Sequence, residues 1–179
     1  MSIDLTSNHF ELFEQPVGFA VDTSALTARY HELQSLLHPD RFATASAAER
    51  RWSVQAVSVV NDAYQTLGDP LRRAIYLLEL NGISVDKETD TAMDPMFLMQ
   101  QMELREALEA AESASDPYAA IDKLRAEIRA GADEQRDTFM TAADNEDWDA
   151  ARTAVRQWQF LDRIAASASQ LEARLDDEA

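Results

Sequence analysis

The sequence contains no cysteine, only four glycines and five prolines in 179 residues, and no apolar run long enough to span a membrane. The missing thiols exclude disulfides, cysteine-ligated zinc and cysteine-ligated iron–sulfur clusters. Scarce glycine and proline leave few turn signals for a β-sheet, whereas alanine, leucine, glutamate and arginine are plentiful and favour helix. The composition therefore predicts an all-α protein.

Basic side chains are also scarce, and the formal net charge is −17. The first 85 residues carry 6 basic and 10 acidic side chains, whereas the rest carry 10 and 23. Such an acidic second half disfavours nucleic acid and anionic membranes as partners and permits a basic protein. The N-terminal segment MSIDLTSNHF has neither the basic nor the apolar region of a targeting peptide, so we expect a cytoplasmic protein.

Apolar periodicity predicts a helical hairpin near the N-terminus. Asp22 is a suitable N-cap for the first helix, which must end before Pro39 because proline disfavours helical backbone at the preceding residue. A second helix from about Ser46 is expected to return antiparallel to the first. The predicted buried stripes are Leu26, Tyr30, Leu33 and Leu37 in the first helix, and Trp52, Ala56, Val59, Ala63 and Leu67 in the second.

Three aspartate–proline pairs mark further helix starts, because aspartate caps a helix whose first residue is proline. They begin at Asp69, Asp94 and Asp116. The first pair opens a short helix and the other two open long ones, and a third long helix follows the turn ADNEDWD. We therefore predict a hairpin domain over residues 1–82, a polar linker over 83–93 and a C-terminal three-helix bundle over 94–179.

The helix after Asp94 has more apolar positions than one core-facing stripe requires. That stripe comprises Phe97, Leu104, Leu108 and Ala111. A neighbouring strip comprises Leu98, Met99, Met102, Glu103 and Glu106. Two explanations stay open, namely a wide core face and an exposed patch that docks another protein. Methionine is flexible and polarisable, and carboxylates at the rim of such a patch would select a basic partner.

The segment LHPDRF puts His38, Pro39 and Asp40 at the turn of the predicted hairpin. Alone, the histidine is equally consistent with a helix C-cap and the aspartate with a turn residue. Together with the downstream segment NDAYQTLGDPLRRAIY, however, the hairpin resembles a J-domain. Later segments, including FLMQQMELREALE and NEDWDAARTAVRQWQFLDRI, resemble the C-terminal part of the HscB family of iron–sulfur cluster co-chaperones. The resemblance covers nearly the whole chain, in order.

The resemblance implies a co-chaperone rather than an enzyme. Its J-domain would stimulate ATP hydrolysis by a DnaK/HscA-type chaperone through His38, Pro39 and Asp40, and its bundle would deliver an IscU-type scaffold protein during iron–sulfur cluster assembly. The implied scaffold-docking residues are Leu98, Met99, Met102, Glu103, Glu106 and Phe160. Because Phe160 lies off the stripe of Trp158 and Ala165, we expect it at the surface. A further acidic contact of the family falls on Ala110. The poor inventory of metal ligands predicts no metal or other cofactor.

J-domains usually carry a basic face on the helix before this motif. Here that helix offers Arg29 and, in its protonated form, His31, and Arg41 follows the motif, so Arg29 and Arg41 are the main candidates for a chaperone-facing basic contact. Further basic candidates, equally consistent with ordinary surface residues, are Arg50, Arg51, Arg72 and Arg73. One alternative is a general J-protein for unfolded clients, although the chain lacks a Gly/Phe-rich linker and cysteine-rich modules. Another is a carboxylate-bundle enzyme, although no Glu-x-x-His pair is present.

Overall fold

A computed structural model describes residues 4–85 and 95–178 of the chain. Every regular element within these residues is helical, which confirms the all-α class. The chain divides into two compact units, Met1–Asn81 and Gly82–Ala179. The first contains α1 (His9–Leu12), α2 (Thr23–Leu37), a 3₁₀ turn (Pro39–Phe42), α3 (Ala47–Gly68) and α4 (Pro70–Leu80). The second contains α5 (Pro95–Glu112), α6 (Pro117–Asp144) and α7 (Trp148–Glu178).

Local capping chemistry sets the starts of four helices whose starts the sequence predicted, and Asn8 caps α1 in the same way. The capping residues are Asp22, Ser46, Asp69 and Asp116. At α2, for example, the Asp22 carboxylate accepts hydrogen bonds from the N–H groups of Ser24 and Ala25, at 2.9 and 3.0 Å. Such bonds satisfy donors that the first turn of a helix leaves without partners. These predicted starts are confirmed, whereas the predicted cap Asp94 lies outside the described residues.

The antiparallel pair α2 and α3 forms the centre of the first unit. The Tyr30 hydroxyl donates to Asn61 Oδ1 at 2.9 Å, and the Tyr30 and Tyr64 rings stack with their centroids 4.0 Å apart. The buried apolar side chains of the two helices are Leu26, Leu33, Leu37, Ala56, Val60, Ala63 and Leu67. Val60 is buried in this core, whereas the predicted Val59 is only half-buried, although the spacing of three and four residues fits both.

Aromatic contacts attach the flanking segments to this hairpin. The His9 ring stacks on Tyr76 with centroids 4.2 Å apart, and the His9 N–H donates to the Tyr76 hydroxyl at 2.9 Å. Arg73 is buried, donates through Nη1 to the Leu67 carbonyl at 2.7 Å and lies over the Phe19 ring at 4.8 Å. Arg73 is therefore a core residue, and its interpretation as a surface basic residue is wrong.

In the second unit, α5 packs against the long antiparallel pair α6 and α7, which confirms the three-helix bundle. Its buried core comprises Phe97, Leu104, Ala111, Ile121, Leu124, Ile128, Phe160, Leu161, Ile164, Ala168 and Leu171. Arg125 on α6 and Glu172 on α7 form an ion pair with an Nη2–Oε2 distance of 2.6 Å. That hydrogen bond raises the pKa of Arg125 and lowers the pKa of Glu172, so each side chain favours the charged form of the other.

Most of the predicted linker, residues 83–93, lies outside the described residues. Within the described part of this linker, Val85 is buried in the second unit, and its carbonyl accepts a hydrogen bond from Arg156 Nε at 3.0 Å. This part of the predicted linker is therefore attached to the bundle. Among the described helices, none combines the length and apolar character needed to cross a membrane.

Candidate functional site

The His–Pro–Asp motif forms an exposed tip at the turn between α2 and α3. The backbone of His38 is extended, with φ −55° and ψ 134°, as expected for a residue that precedes proline. Pro39 then opens the short 3₁₀ turn, which contains Asp40. Because proline has a fixed φ and restricts the residue before it, the backbone of His38 and Pro39 has little conformational freedom. We call His38, Pro39 and Asp40 the tip.

Within the tip, the imidazole of His38 fixes the backbone of Asp40. The Asp40 N–H donates to His38 Nδ1 at 3.3 Å, and Asp40 Oδ2 lies 3.6 Å from the same nitrogen. The Asp40 side chain nevertheless remains 92% exposed and the His38 side chain 60% exposed. A carboxylate presented in this way can accept bidentate hydrogen bonds from an arginine of another protein. The tip thus orients a charge without burying it.

The two arginines predicted to face the chaperone differ in their surroundings. Arg29 is only 21% exposed, and its Nη atoms contact the carboxylates of Glu14 at 2.8 Å and Glu32 at 3.1 Å. Its charge is therefore balanced within the first unit. Arg41 is exposed and directly follows Asp40. Of the two, Arg41 has the better position for a contact with a partner, and both assignments stay predictions.

The predicted strip on α5 is exposed along its length. Leu98, Met99 and Met102 are 41%, 57% and 61% exposed, and Glu103 and Glu106 are exposed as well. These five residues, called the α5 strip below, lie beside the buried stripe that includes Phe97 and Leu104. The explanation of the strip as part of a wide core face is therefore wrong. Ala110, where the family has an acidic contact, is also exposed.

Phe160 does not lie at the surface, and the prediction that it does is wrong. Its side chain is only 3% exposed and packs edge-on against Phe97, with ring centroids 5.7 Å apart. The guanidinium of Arg105 on α5 covers the same ring at 5.6 Å. α7 carries a second buried stripe besides the predicted one, consisting of Phe160, Ile164, Ala168 and Leu171. The spacings of four, four and three along this stripe are the signal that could have identified it.

Met96 is an apolar surface residue that the sequence interpretation missed. It lies at the start of α5 and is 71% exposed, more than any of the three apolar side chains of the strip. Its spacing of three residues to Met99 puts it on the same side of the helix. Sulfur-containing apolar surface therefore extends to the beginning of α5.

Within residues 4–85 and 95–178, no group of three histidine or carboxylate side chains is arranged to hold a metal ion.

Comparison with known proteins identifies the family of this chain. Residues 93–169 match the family model described as "HSCB C-terminal oligomerisation domain". A co-chaperone protein HscB homolog of Burkholderia multivorans is 44% identical over 177 residues, covering 97% of this chain and 99% of the relative. A homolog with the same description from Paraburkholderia xenovorans is 46% identical over 176 residues, covering 97% and 98%. The chain belongs to the HscB family of co-chaperones.

Solved structures of the HscB family share the architecture of this chain. Chaperone HscB from Vibrio cholerae is 40% identical, with a TM-score of 0.83 over 94% of this chain and 99% of that one. The human co-chaperone protein HscB is 33% identical, with a TM-score of 0.86 over 94% and 84%. The first unit is accordingly a J-domain, and the second unit is the C-terminal helical bundle of the family. As a member of a co-chaperone family, the protein is not an enzyme.

Proposed function

We propose that this protein is a cytoplasmic adaptor in iron–sulfur cluster assembly and transfer. The tip stimulates ATP hydrolysis by a DnaK/HscA-type chaperone, and the α5 strip binds an IscU-type scaffold protein that is delivered to that chaperone. The observation that carries the proposal is the exposure of both surfaces on separate units of one chain. The tip and the α5 strip are both available to a protein partner, and they have no residue in common.

The chemistry of the tip suits stimulation of another protein's active site. The Asp40 carboxylate is exposed and oriented, so it can engage an arginine of the ATPase through charge-assisted hydrogen bonds. His38 maintains the backbone conformation through its bond to the Asp40 N–H, and Pro39 restricts the turn. No proton transfer by these residues is required, because the nucleotide and the attacking water belong to the partner. Arg41 adds a basic group beside the carboxylate.

The chemistry of the α5 strip suits a scaffold whose surface is apolar with a basic rim. Fully burying a Leu or Met side chain contributes about 1.5–3 kcal/mol, so the three apolar residues can support micromolar binding after association costs. Glu103 and Glu106 supply the acidic rim. Because Phe160 lies under Arg105 and against Phe97, we assign it to positioning α5 rather than to touching the scaffold.

Substituting Leu98, Met99 and Met102 together by alanine is expected to raise the Kd for a purified IscU-type scaffold by at least about tenfold. The melting temperature should change little, because all three side chains are already exposed. Isothermal titration calorimetry and thermal unfolding by circular dichroism measure the two quantities. Met140→Ala, which removes a methionine that is 38% exposed on α6, is the matched control and should leave the Kd unchanged.

The opposite pattern would contradict the assignment of the strip. If the triple variant bound the scaffold as tightly as the wild-type chain, the docking surface would lie elsewhere on the molecule. A large fall in melting temperature would mean that these residues support the bundle core instead.

A further inference from the structure

An apolar pocket lies directly beside the tip, and the proposed function does not use it. It has a volume of about 280 Å³, is partly open to solvent and is lined by the end of α2, the 3₁₀ turn and the first turns of α3. Leu37 and Pro39 form one side, Phe42 lies on the turn, and Val54 and Val57 form the other side. The pocket therefore belongs entirely to the first unit.

The surface of this pocket is suited to an apolar group. Ser53 is the only uncharged polar side chain among its lining residues, and its hydroxyl already donates to the Arg50 carbonyl at 2.8 Å. Val54 is 71% exposed, so its side chain is not part of the core of the hairpin. A β-branched valine also has a lower helix propensity than most residues of an exposed helix face. Its presence there is explained if a partner buries it.

The size of the pocket restricts what it can hold. A volume of 280 Å³ lies just below the range of typical small-molecule sites, which is about 300–1,000 Å³. Protein interfaces, by contrast, often place one large apolar or aromatic side chain into a pocket of the partner. The occupant that fits best is therefore a single apolar side chain. Arg50 is exposed at the edge of the pocket and provides a positive charge next to that position.

Pro39 connects the pocket to the tip, because it both lines the pocket and stands between His38 and Asp40. A protein surface that contacts His38 and Asp40 is therefore within side-chain reach of the pocket. We propose that the pocket receives one large apolar side chain of the ATP-hydrolysing chaperone that engages the tip, with a carboxylate of that chaperone beside Arg50. This inference rests on the proposed function and deepens it, since it adds a specificity-determining subsite to the tip.

The test is a titration of the steady-state ATPase activity of a purified DnaK/HscA-type chaperone with variants of the full chain. Val54→Asp should raise the half-maximal concentration for stimulation by about tenfold, because a carboxylate replaces the apolar wall. Ser58→Asp adds the same charge at an exposed position one helical turn farther from the tip and should behave like the wild-type chain. Arg50→Glu should also raise the half-maximal concentration, and by a smaller factor at higher salt.

The outcomes separate the pocket from the tip. If Val54→Asp and Ser58→Asp give the same titration curve, the pocket is not occupied by the chaperone and the inference is wrong. Val54→Ser removes the apolar group without adding charge, and unchanged stimulation by this variant would overturn the inference too. A His38→Gln chain that still stimulates fully would instead overturn the proposed function.

If the wild-type chain self-associates in sedimentation analysis and Val54→Asp makes it monomeric, a second copy fills the pocket instead of the chaperone.

Discussion

Replacing His38 by glutamine is expected to abolish the stimulation of ATP hydrolysis while leaving the fold and scaffold binding intact. The imidazole accepts the Asp40 N–H through Nδ1 and so holds the backbone that carries the carboxylate. Glutamine has a longer, more flexible side chain, so the carboxylate loses its fixed direction. A charge-assisted hydrogen bond contributes about 1.5–3 kcal/mol, and its loss alone lowers affinity by at least about tenfold.

The chain offers a matched control for this substitution. His31→Gln makes the same chemical change at an exposed position on α2, two turns before the tip, and should retain most of the stimulation because it leaves the bond between His38 and the Asp40 N–H in place. Both variants should unfold at nearly the wild-type temperature, since exposed substitutions usually change stability by less than about 0.5 kcal/mol. If His38→Gln also weakened binding of the scaffold, the tip and the α5 strip would not be independent surfaces.

Replacing Phe160 by alanine is expected to destabilise the bundle by about 3–5 kcal/mol, the usual cost of truncating a buried aromatic side chain. The substitution removes the edge-on contact with Phe97 and the ring beneath the Arg105 guanidinium. Urea unfolding followed by circular dichroism measures the loss as a lower transition midpoint. Scaffold binding should weaken only because α5 loses its support.

Phe160→Leu distinguishes a positioning residue from a docking residue. Leucine keeps most of the buried volume, so this variant should recover most of the stability and should bind the scaffold with nearly the wild-type Kd. Strong loss of affinity in a stable Phe160→Leu chain would mean that the scaffold touches the aromatic ring directly.

The starts of the helices were predictable because capping is local. Asp69 and Asp116 act on N–H groups within three residues of themselves, so no knowledge of the rest of the fold is needed. The end of α2 at Leu37 is likewise determined by Pro39, two residues on. For the same reason, the exposed turn that contains the His–Pro–Asp motif could be located from the sequence.

Errors arose where burial depends on a third element. A helix that packs against two neighbours needs two apolar stripes, and Phe160 belongs to the stripe that meets α5. Arg73 is buried because Phe19 and the Leu67 carbonyl surround its guanidinium. Periodicity within one helix shows which residues share a face, as for the stripe of Phe160, but it does not show which distant group covers a side chain such as Arg73.

The α5 strip could be predicted from a single helix, because it shows as apolar residues beyond those that one core-facing stripe needs. One core stripe accounts for Phe97 and Leu104, and three further apolar residues on an adjacent side of the same helix remain unexplained by it. The sequence alone did not decide whether these three side chains are buried in the core or exposed at the surface. Their exposure in the structure is what makes docking the better interpretation.

The proposed function requires that one chain connects two proteins through two separate surfaces. We would test this by measuring the steady-state ATP turnover of a DnaK/HscA-type chaperone with an IscU-type scaffold, at a chain concentration too low to stimulate without the scaffold. The wild-type chain is compared with an equimolar mixture of His38→Gln and the triple alanine variant of Leu98, Met99 and Met102. We predict that the wild-type chain raises turnover and that the mixture does not, because each molecule in it lacks one surface. Equal turnover with the mixture would contradict the claim.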